Sequence, residues 1–223
     1  MGMIIAIDGP AGAGKSTVAK IVAKKLKFIY IDTGAMYRAI TLKALDKPVA
    51  ISNVADLVKM ALNTKIDLIS KRDGSLKILM DGKDVSKAIR HPRITKSVSD
   101  VAKIKQIRKI MLELQRRLGE KNNSVLEGRD IGTVVFPNAQ KKFYLDARLD
   151  ERAKRRYKEL KESLIKNVTL LSVSADLTNR DTIDSSRKFA PLKKAEDAVY
   201  VDTTYLGIDE VVGKILSEVR NKK

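Results

Sequence analysis

The chain of 223 residues has no cysteine, no tryptophan, a single histidine (His91) and only 4% aromatic residues. Without thiols there is no disulfide framework, no thiolate nucleophile and no cysteine-bearing zinc site. Nothing calls for an oxidising compartment, so a cytoplasmic location is expected. One histidine excludes multi-histidine metal centres and most Ser-His-Asp arrangements within one chain. The scarcity of aromatics speaks against a stacking platform for single-stranded nucleic acid. Apolar runs such as Val134-Val135-Phe136 fall far short of the ~20 residues that span a bilayer. The N-terminus carries no charged stretch ahead of an apolar one, so neither a membrane partner nor a secretory leader is expected.

A hydrophobic content of 43% is enough to bury one sizeable core, with or without insertions. Lys and Arg number 45 against 27 Asp and Glu, a formal net charge of +18. A polyanionic partner or a phosphate-rich ligand fits that surplus, but charge does not separate nucleic acid from nucleotide.

Met3-Ile4-Ile5-Ala6-Ile7 is a continuous apolar run that stops at glycines, as a central strand buried on both faces should. Val18, Ile21, Val22 and Leu26 follow at helical spacing, and Phe28-Ile29-Tyr30-Ile31 reads as a second strand. The opening is therefore strand, loop, helix, strand, the length a right-handed parallel crossover needs. Helices are predicted over 35–45 and 54–61, the latter capped by Ser52 or Asn53. Ile66–Ile69 and Leu76–Met80 flank Arg72-Asp73-Gly74-Ser75, with Asp81-Gly82 as a second turn, so antiparallel hairpins are predicted. One long amphipathic helix is predicted over 97–118, ended by Gly119. Val125-Leu126 and Phe143-Tyr144-Leu145 read as further parallel strands, which puts Glu127–Thr133 at a strand's carboxyl end, where open α/β sheets bind ligands. A basic helix follows over 150–166, then a helix to Arg180, a loop over 181–192, a last strand at 198–201 and a closing helix over 208–219. Arg220–Lys223 reads as a solvated tail.

Gly9-Pro10-Ala11-Gly12-Ala13-Gly14-Lys15-Ser16 satisfies G-x-x-x-x-G-K-[ST] between a strand and a helix. Its backbone N–H groups can turn inward round a phosphate, Lys15 can reach the β and γ phosphates, and Ser16 can ligate Mg²⁺. With Thr17 these residues are the expected ATP-binding segment. Asn-Lys occurs only at Asn221-Lys222, so the guanine-reading N-K-x-D of GTPases is missing and a small kinase fits better than a GTPase.

Further motifs follow in order: Ile7-Asp8-Gly9-Pro10 into the loop, D-T-G-A-M-Y-R at 32–38, E-G-R-D-I-G-T-V-V-F-P at 127–137, and R-D-x-x-D-S-x-R at 180–187 before Ala190-Pro191-Leu192. With these the chain resembles the bacterial-type cytidylate kinase family over essentially its whole length. The resemblance implies a P-loop α/β fold, a parallel sheet flanked by helices, with a β-containing acceptor insertion and a helical lid. The implied division is a core of 1–62, 94–149 and 167–223, an insertion at 63–93 and a lid at 150–166. The implied reaction is γ-phosphoryl transfer from ATP to CMP or dCMP with Mg²⁺.

An acceptor phosphate with nearly two negative charges calls for guanidinium forks, and Arg38, Arg129 and Arg187 are candidates. Cytosine offers an N4 donor and an N3 acceptor, which a carboxylate and an arginine can read. The resemblance implies Asp130, Arg108 and Ser99 for that reading, Asp184 as ribose acceptor with Arg180 bridging towards phosphate, and Thr33 against phosphate or sugar. Lys15, Arg129 and Asp130 are the expected catalytic group. Between 148 and 166 there are eight basic residues against four acidic ones, and Arg152, Arg155 and Arg156 are candidate lid cations, of which one or two are expected to engage. Thr182, Ile183, Ser185 and Ser186 stand where some relatives carry extra arginines, so fewer lid contacts are expected.

The acceptor phosphate is itself an anionic nucleophile, so no general base is needed and His91 is expected to be solvated or packed in the insertion. The alternatives are another small-molecule P-loop kinase, of uridylate/cytidylate or shikimate type, and a nucleic-acid-binding NTPase driven by the charge. No nucleic-acid partner and a monomer are expected.

Overall fold

The computed structural model describes residues 2–70, 76–162 and 168–221. The turn expected at Arg72–Ser75, positions 163–166 of the expected lid and the last two residues of the basic tail lie outside the described residues.

Strand β1 (Ile4–Asp8) is buried along its whole length. It lies between β6 (Ser124–Gly128) and β7 (Lys141–Asp146), with β2 (Ile29–Asp32) outside β6 and β8 (Val199–Asp202) outside β7. All four pairings are parallel, and their register brings Asp8 level with Gly128 and Tyr144, and Asp32 level with Glu127. After β1 the chain moves to one side of the sheet and after β6 to the other, so the strand order reverses at the carboxyl end of β1. That crevice is where such sheets take ligands.

Alternation along β1 divides the core. Ile5 and Ile7 pack with Val18 and Val22 of α1 (Lys15–Leu26) and Val211 and Ile215 of α8 (Ile208–Arg220). Ile4 and Ala6 share the opposite core with Met36 and Ile40 of α2 (Thr33–Asp46), Leu57 of α3 (Val54–Leu62), and residues of α4 (Pro92–Ala102) and α5 (Lys105–Gly119). A smaller cluster joins Ala11 of the glycine-rich loop to Ala153 of α6 (Leu149–Glu162) and Val173 and Leu177 of α7 (Leu170–Ser186).

The second sheet is antiparallel: β3 (Ile66–Ser70), β4 (Leu76–Met80) and β5 (Lys83–Asp84). Asp81 and Gly82, with φ of 50° and 81°, form the two-residue turn that the twist of a hairpin favours. Lys43 of α2 holds this turn through Asp81 Oδ2 at 2.6 Å.

Three sequence expectations need correction. The single helix over 97–118 is two, α4 and α5, broken at Lys103-Ile104. Arg108 Nη1 donates to the carbonyl of Ala102, satisfying an end of α4 that a continuous helix would have used itself. Gly119 does not end α5 by a left-handed turn; a Cβ there would meet the Phe136 ring at 2.7 Å, so the glycine serves close packing. The loop expected from Asp181 is helical to Ser186, which puts Arg180, Asp184 and the flanking Arg187 at i, i+4 and i+7. His91 caps α4, its Nδ1 accepting from the Arg93 amide at 3.3 Å, and Asn53 rather than Ser52 caps α3. Among the described residues no helix is long and apolar enough to cross a membrane.

Candidate active site

The glycine-rich loop can be built only with glycine at its hinge. Gly9 has φ of 146°, and a Cβ there would lie 1.9 Å from the Leu145 carbonyl oxygen. Gly14 (φ 86°) starts α1 without a side-chain cap among the described residues, and Lys15, Ser16 and Thr17 of the first turn border the crevice. Lys15 is buried and rests its Nζ on the carbonyl of Pro10 at 2.5 Å. Burial, then Arg129 and Arg180, pull its ammonium down from 10.5 to about 7, against Glu127 and Asp8.

Opposite stands the turn after β6. Asp8 accepts the amides of Ile131 and Gly132, both at 2.8 Å, at the entry to a π-helical turn, Ile131–Val135. This bracket aims Arg129 and Asp130 into the crevice. Arg129 Nε donates to Asp184 Oδ2 at 2.9 Å, and Arg187 Nη1 to Asp184 Oδ1 at 3.2 Å. Burial alone would lower Arg129, but Asp184, together with Glu127 and Asp181, outweighs it and holds the guanidinium above its usual value. Asp130 Oδ2 accepts from Arg108 Nη2 at 2.6 Å, while its Oδ1 faces Arg187 Nη2 at 3.8 Å. Arg108 also lies over the Tyr37 ring, 5.4 Å from its centre.

Several of these cations are short of partners. Arg108 Nε, Arg180 Nε and Arg187 Nη2 are buried and without a hydrogen-bond partner among the described residues. Burial, then Arg129 and Arg38, bring Arg180 down to about 9. Arg38 falls to about 10 through burial, with Arg156, Arg90 and Arg129 adding to it and Asp32 opposing. Guanidiniums pressed together in this way are stabilised by an anion placed among them.

Lys15, Asp130, Asp184 and these arginines line one cavity of about 800 Å³. It gathers Ala11–Thr17, Thr33, Arg38, Ser99, Arg108, Arg129, Asp130, Arg155, Arg156, Arg180, Asp184 and Arg187 of the expected residues. Gly9 and Pro10 shape the loop from behind and are not part of the lining. Arg152 is a correction: instead of reaching into the cavity it is buried, paired with Asp181 and bonded to the carbonyls of Ala11 and Ala147. Arg155 is bound to Thr203 and Thr204, and Arg156 pairs with Glu159. The Thr33 hydroxyl donates to the Glu127 carbonyl at 2.7 Å, so its free capacity is as an acceptor.

The cavity also includes residues that sequence reasoning did not select: Arg90, Tyr37, Asp32, Glu127 and, after β8, Thr203 and the stretch Leu206 to Ile208. Tyr37, Asp32 and Glu127 stood inside the quoted motifs. The stretch after β8 was marked only by following a strand, and Arg90 by nothing.

Ser16 Oγ donates to Glu127 Oε1 at 2.5 Å, and Asp32 ends the neighbouring strand. Burial and then Asp32 raise the Glu127 carboxyl above its usual range, against Lys15 and Ser16. A hydroxyl beside two crowded carboxylates at the phosphate loop suits Mg²⁺, which takes few protein oxygens and keeps substrate phosphates and waters. Among the described residues no group of three or more His, Cys, Asp or Glu offers a closed cage.

A family model described as cytidylate kinase matches residues 5–221. The cytidylate kinase of Clostridioides difficile (strain 630) is 49% identical over 217 residues, covering 97% of this chain and 98% of that protein. That of Bacillus subtilis (strain 168) is 50% identical over 219 residues, covering 98% and 96%. Among solved structures, an uncharacterized protein from Eubacterium ventriosum matches with TM-score 0.54 at 13% identity over 100% of both chains. Shikimate kinase from Bacteroides thetaiotaomicron matches with TM-score 0.50 at 12% identity, over 98% of this chain and 99% of that one. At those identities the structures bear on the fold alone.

Proposed function

The chain belongs to the cytidylate kinase family, and on that premise we propose how its cavity transfers the γ-phosphoryl group of ATP to CMP or dCMP. The products are ADP and CDP or dCDP. One observation carries the assignment of roles: the phosphate loop shares its cavity with a cluster of arginines in which Arg108 Nε, Arg180 Nε and Arg187 Nη2 have no hydrogen-bond partner among the described residues, together with the Asp130 carboxylate.

The donor's phosphates lie on the backbone amides of 12–17, and Lys15 exchanges the Pro10 carbonyl for the β and γ oxygens. The base of the donor takes the wall formed by Arg155, Thr203 and the stretch from Leu206 to Ile208. Arg38, Arg129 and Arg180 hold the acceptor phosphate, and Asp184 accepts from the ribose. Asp130 Oδ1 accepts from the cytosine N4 amine, Arg187 or Arg108 donates to N3, and Ser99 completes that end. An oxygen of the acceptor phosphate attacks the γ phosphorus in line, and the β–γ bridging oxygen leaves with ADP. No proton need be removed first. Ser16, with Glu127 and Asp32 nearby, would hold Mg²⁺, which would supply positive charge to the donor phosphates. The lysine and arginines stabilise the charge that spreads over the equatorial oxygens.

Residues 63–93 serve as the acceptor insertion and 150–166 as a lid that excludes water, with the remainder as core. The protein acts as a cytoplasmic monomer. The test is ADP formation from ATP and Mg²⁺ with CMP, dCMP, UMP, AMP, GMP, dTMP and shikimate, and separately with single-stranded RNA. Turnover confined to CMP and dCMP is expected. Acceptor-independent hydrolysis stimulated by RNA would overturn it.

A further inference from the structure

The outer turn of the phosphate loop is held by a pair of residues that the transfer chemistry leaves unassigned. Asp181 Oδ1 accepts the backbone amide of Ala11 at 3.3 Å. Its Oδ2 is paired with Arg152 Nη1, the same nitrogen that donates to the Ala11 carbonyl at 3.1 Å, while Arg152 Nε donates to the Ala147 carbonyl at 2.8 Å. Both polar groups of the Ala11 residue are thus engaged by one ion pair. Packing follows the same lines. A Cβ on Gly12 would stand 3.1 Å from the Cβ and carbonyl oxygen of Arg152, and Ala11 packs with Ala153, Val173 and Leu177.

Position along α7 gives this contact its meaning. Asp181 follows Arg180 and precedes Asp184, the residue that holds Arg129 and Arg187. One rigid helix therefore carries the groups facing the acceptor pocket and the carboxylate that grips the donor loop. A shift of α7 when an acceptor fills the pocket acts on Ala11 directly, because the Asp181–Arg152 pair engages both the amide and the carbonyl of that residue.

We propose that Asp181, oriented by Arg152, is a positioning residue that fixes the Ala11–Gly12 turn to α7 and thereby couples donor binding to acceptor binding. This rests on the proposed division of the cavity into a donor loop and an acceptor pocket. Asp181 touches no reacting atom. Its replacement by asparagine keeps the shape and the helix but weakens the hold on Arg152 and lets an amide donor compete for the Ala11 face.

The experiment is calorimetric titration of the full chain with Mg²⁺ and β,γ-imido-ATP, with CMP, and with each in the presence of the other. For Asp181→Asn the analogue should bind about tenfold more weakly, as for loss of a charged hydrogen bond, with CMP alone bound within about twofold of wild type. Any gain in analogue affinity that CMP confers on the wild type should shrink towards none, and reciprocally. Arg152→Lys keeps the charge but cannot serve Asp181 and both carbonyls, so it should show the same donor-selective loss. In the double variant the two losses should fail to add.

Unchanged analogue affinity in Asp181→Asn, equal loss for both ligands, additive losses, or a wild type without coupling would each overturn the proposal. If the asparagine variant does not fold, the Arg152→Lys titrations decide by the same selectivity. Failure of the functional assignment shows differently, as a wild type that binds the analogue but not CMP. The donor arm then still judges Asp181's hold on the loop.

Discussion

Arg108 Nη2 lies 2.6 Å from Asp130 Oδ2, and this buried pair ties the start of α5 to the turn after β6. Asp130 lines the cavity, and its Oδ1 lies 3.8 Å from Arg187 Nη2. A carboxylate oxygen held there can only accept, which suits an exocyclic amine and rejects a carbonyl.

Asp130→Asn should therefore relax discrimination between CMP and UMP by tenfold or more, roughly the 1–3 kcal/mol that a good base contact contributes. The measurement is the ratio of kcat/KM for the two acceptors. An unchanged ratio removes Asp130 from base reading.

Lys15→Ala should lower kcat by about a hundredfold or more with CMP and dCMP alike, because the lost group serves the shared donor phosphates. A second readout is protonation. With its ammonium pulled down to about 7, Lys15 is mostly neutral near pH 8 and regains its proton when polyphosphate supplies opposite charge. ATP binding should thus take up close to one proton at about pH 8 and little at about pH 6, measured calorimetrically in buffers of different ionisation enthalpy. The alanine variant should show no such uptake.

Asp8 is raised from 3.8 to about 7, chiefly by burial and further by Asp130, against the amides of Gly132 and Ile131 and the charge of Lys15. Between those two values the folded state binds a proton that the unfolded state does not. The cost of the buried charge is complete above about pH 7 and is relieved as the pH falls towards 3.8. Relative to Asp8→Asn, wild-type stability should rise on acidification through that window, as read by urea unfolding. A constant difference would place the Asp8 carboxyl in the ordinary range.

Arg180→Met should separate stability from function. Burial and the neighbouring Arg129 lower the guanidinium to about 9, and its Nε is buried without a hydrogen-bond partner among the described residues. Exchange for an apolar side chain of similar length should keep or raise the ligand-free Tm, while KM for CMP rises at least tenfold, roughly the worth of a charge-assisted bond to phosphate. A lower Tm with unchanged KM would make Arg180 a structural residue.

Much of this molecule is written in short stretches of its sequence. A continuous apolar run before Gly9, glycines at fixed offsets and helical spacing from Val18 determine a strand, a phosphate loop and a helix, because each depends on residues close together along the chain. The motifs at 32–38, 127–137 and 180–187 likewise named Arg38, Arg129, Asp130, Arg180, Asp184 and Arg187, which line the cavity. Sequence periodicity did not reveal the break between α4 and α5. Apolar spacing runs on through it, and the side chain that satisfies the broken end, Arg108, comes from the next helix. Asp181–Ser186, rich in residues that suit turns, is helical because Arg129 and Arg152 draw Asp184 and Asp181 into place from other elements, and Arg187 at the helix's own end joins them on Asp184. For the same reason Arg152 looked like a free lid cation: its charge and helical position are in the sequence, but the carboxylate and carbonyls that occupy it come from α7 and the phosphate loop. Local pattern determined the elements and the chemistry available to them. Which charges are spent on the fold and which are left for substrate was decided only when distant segments met, since an ion pair depends on distance in space and not along the chain.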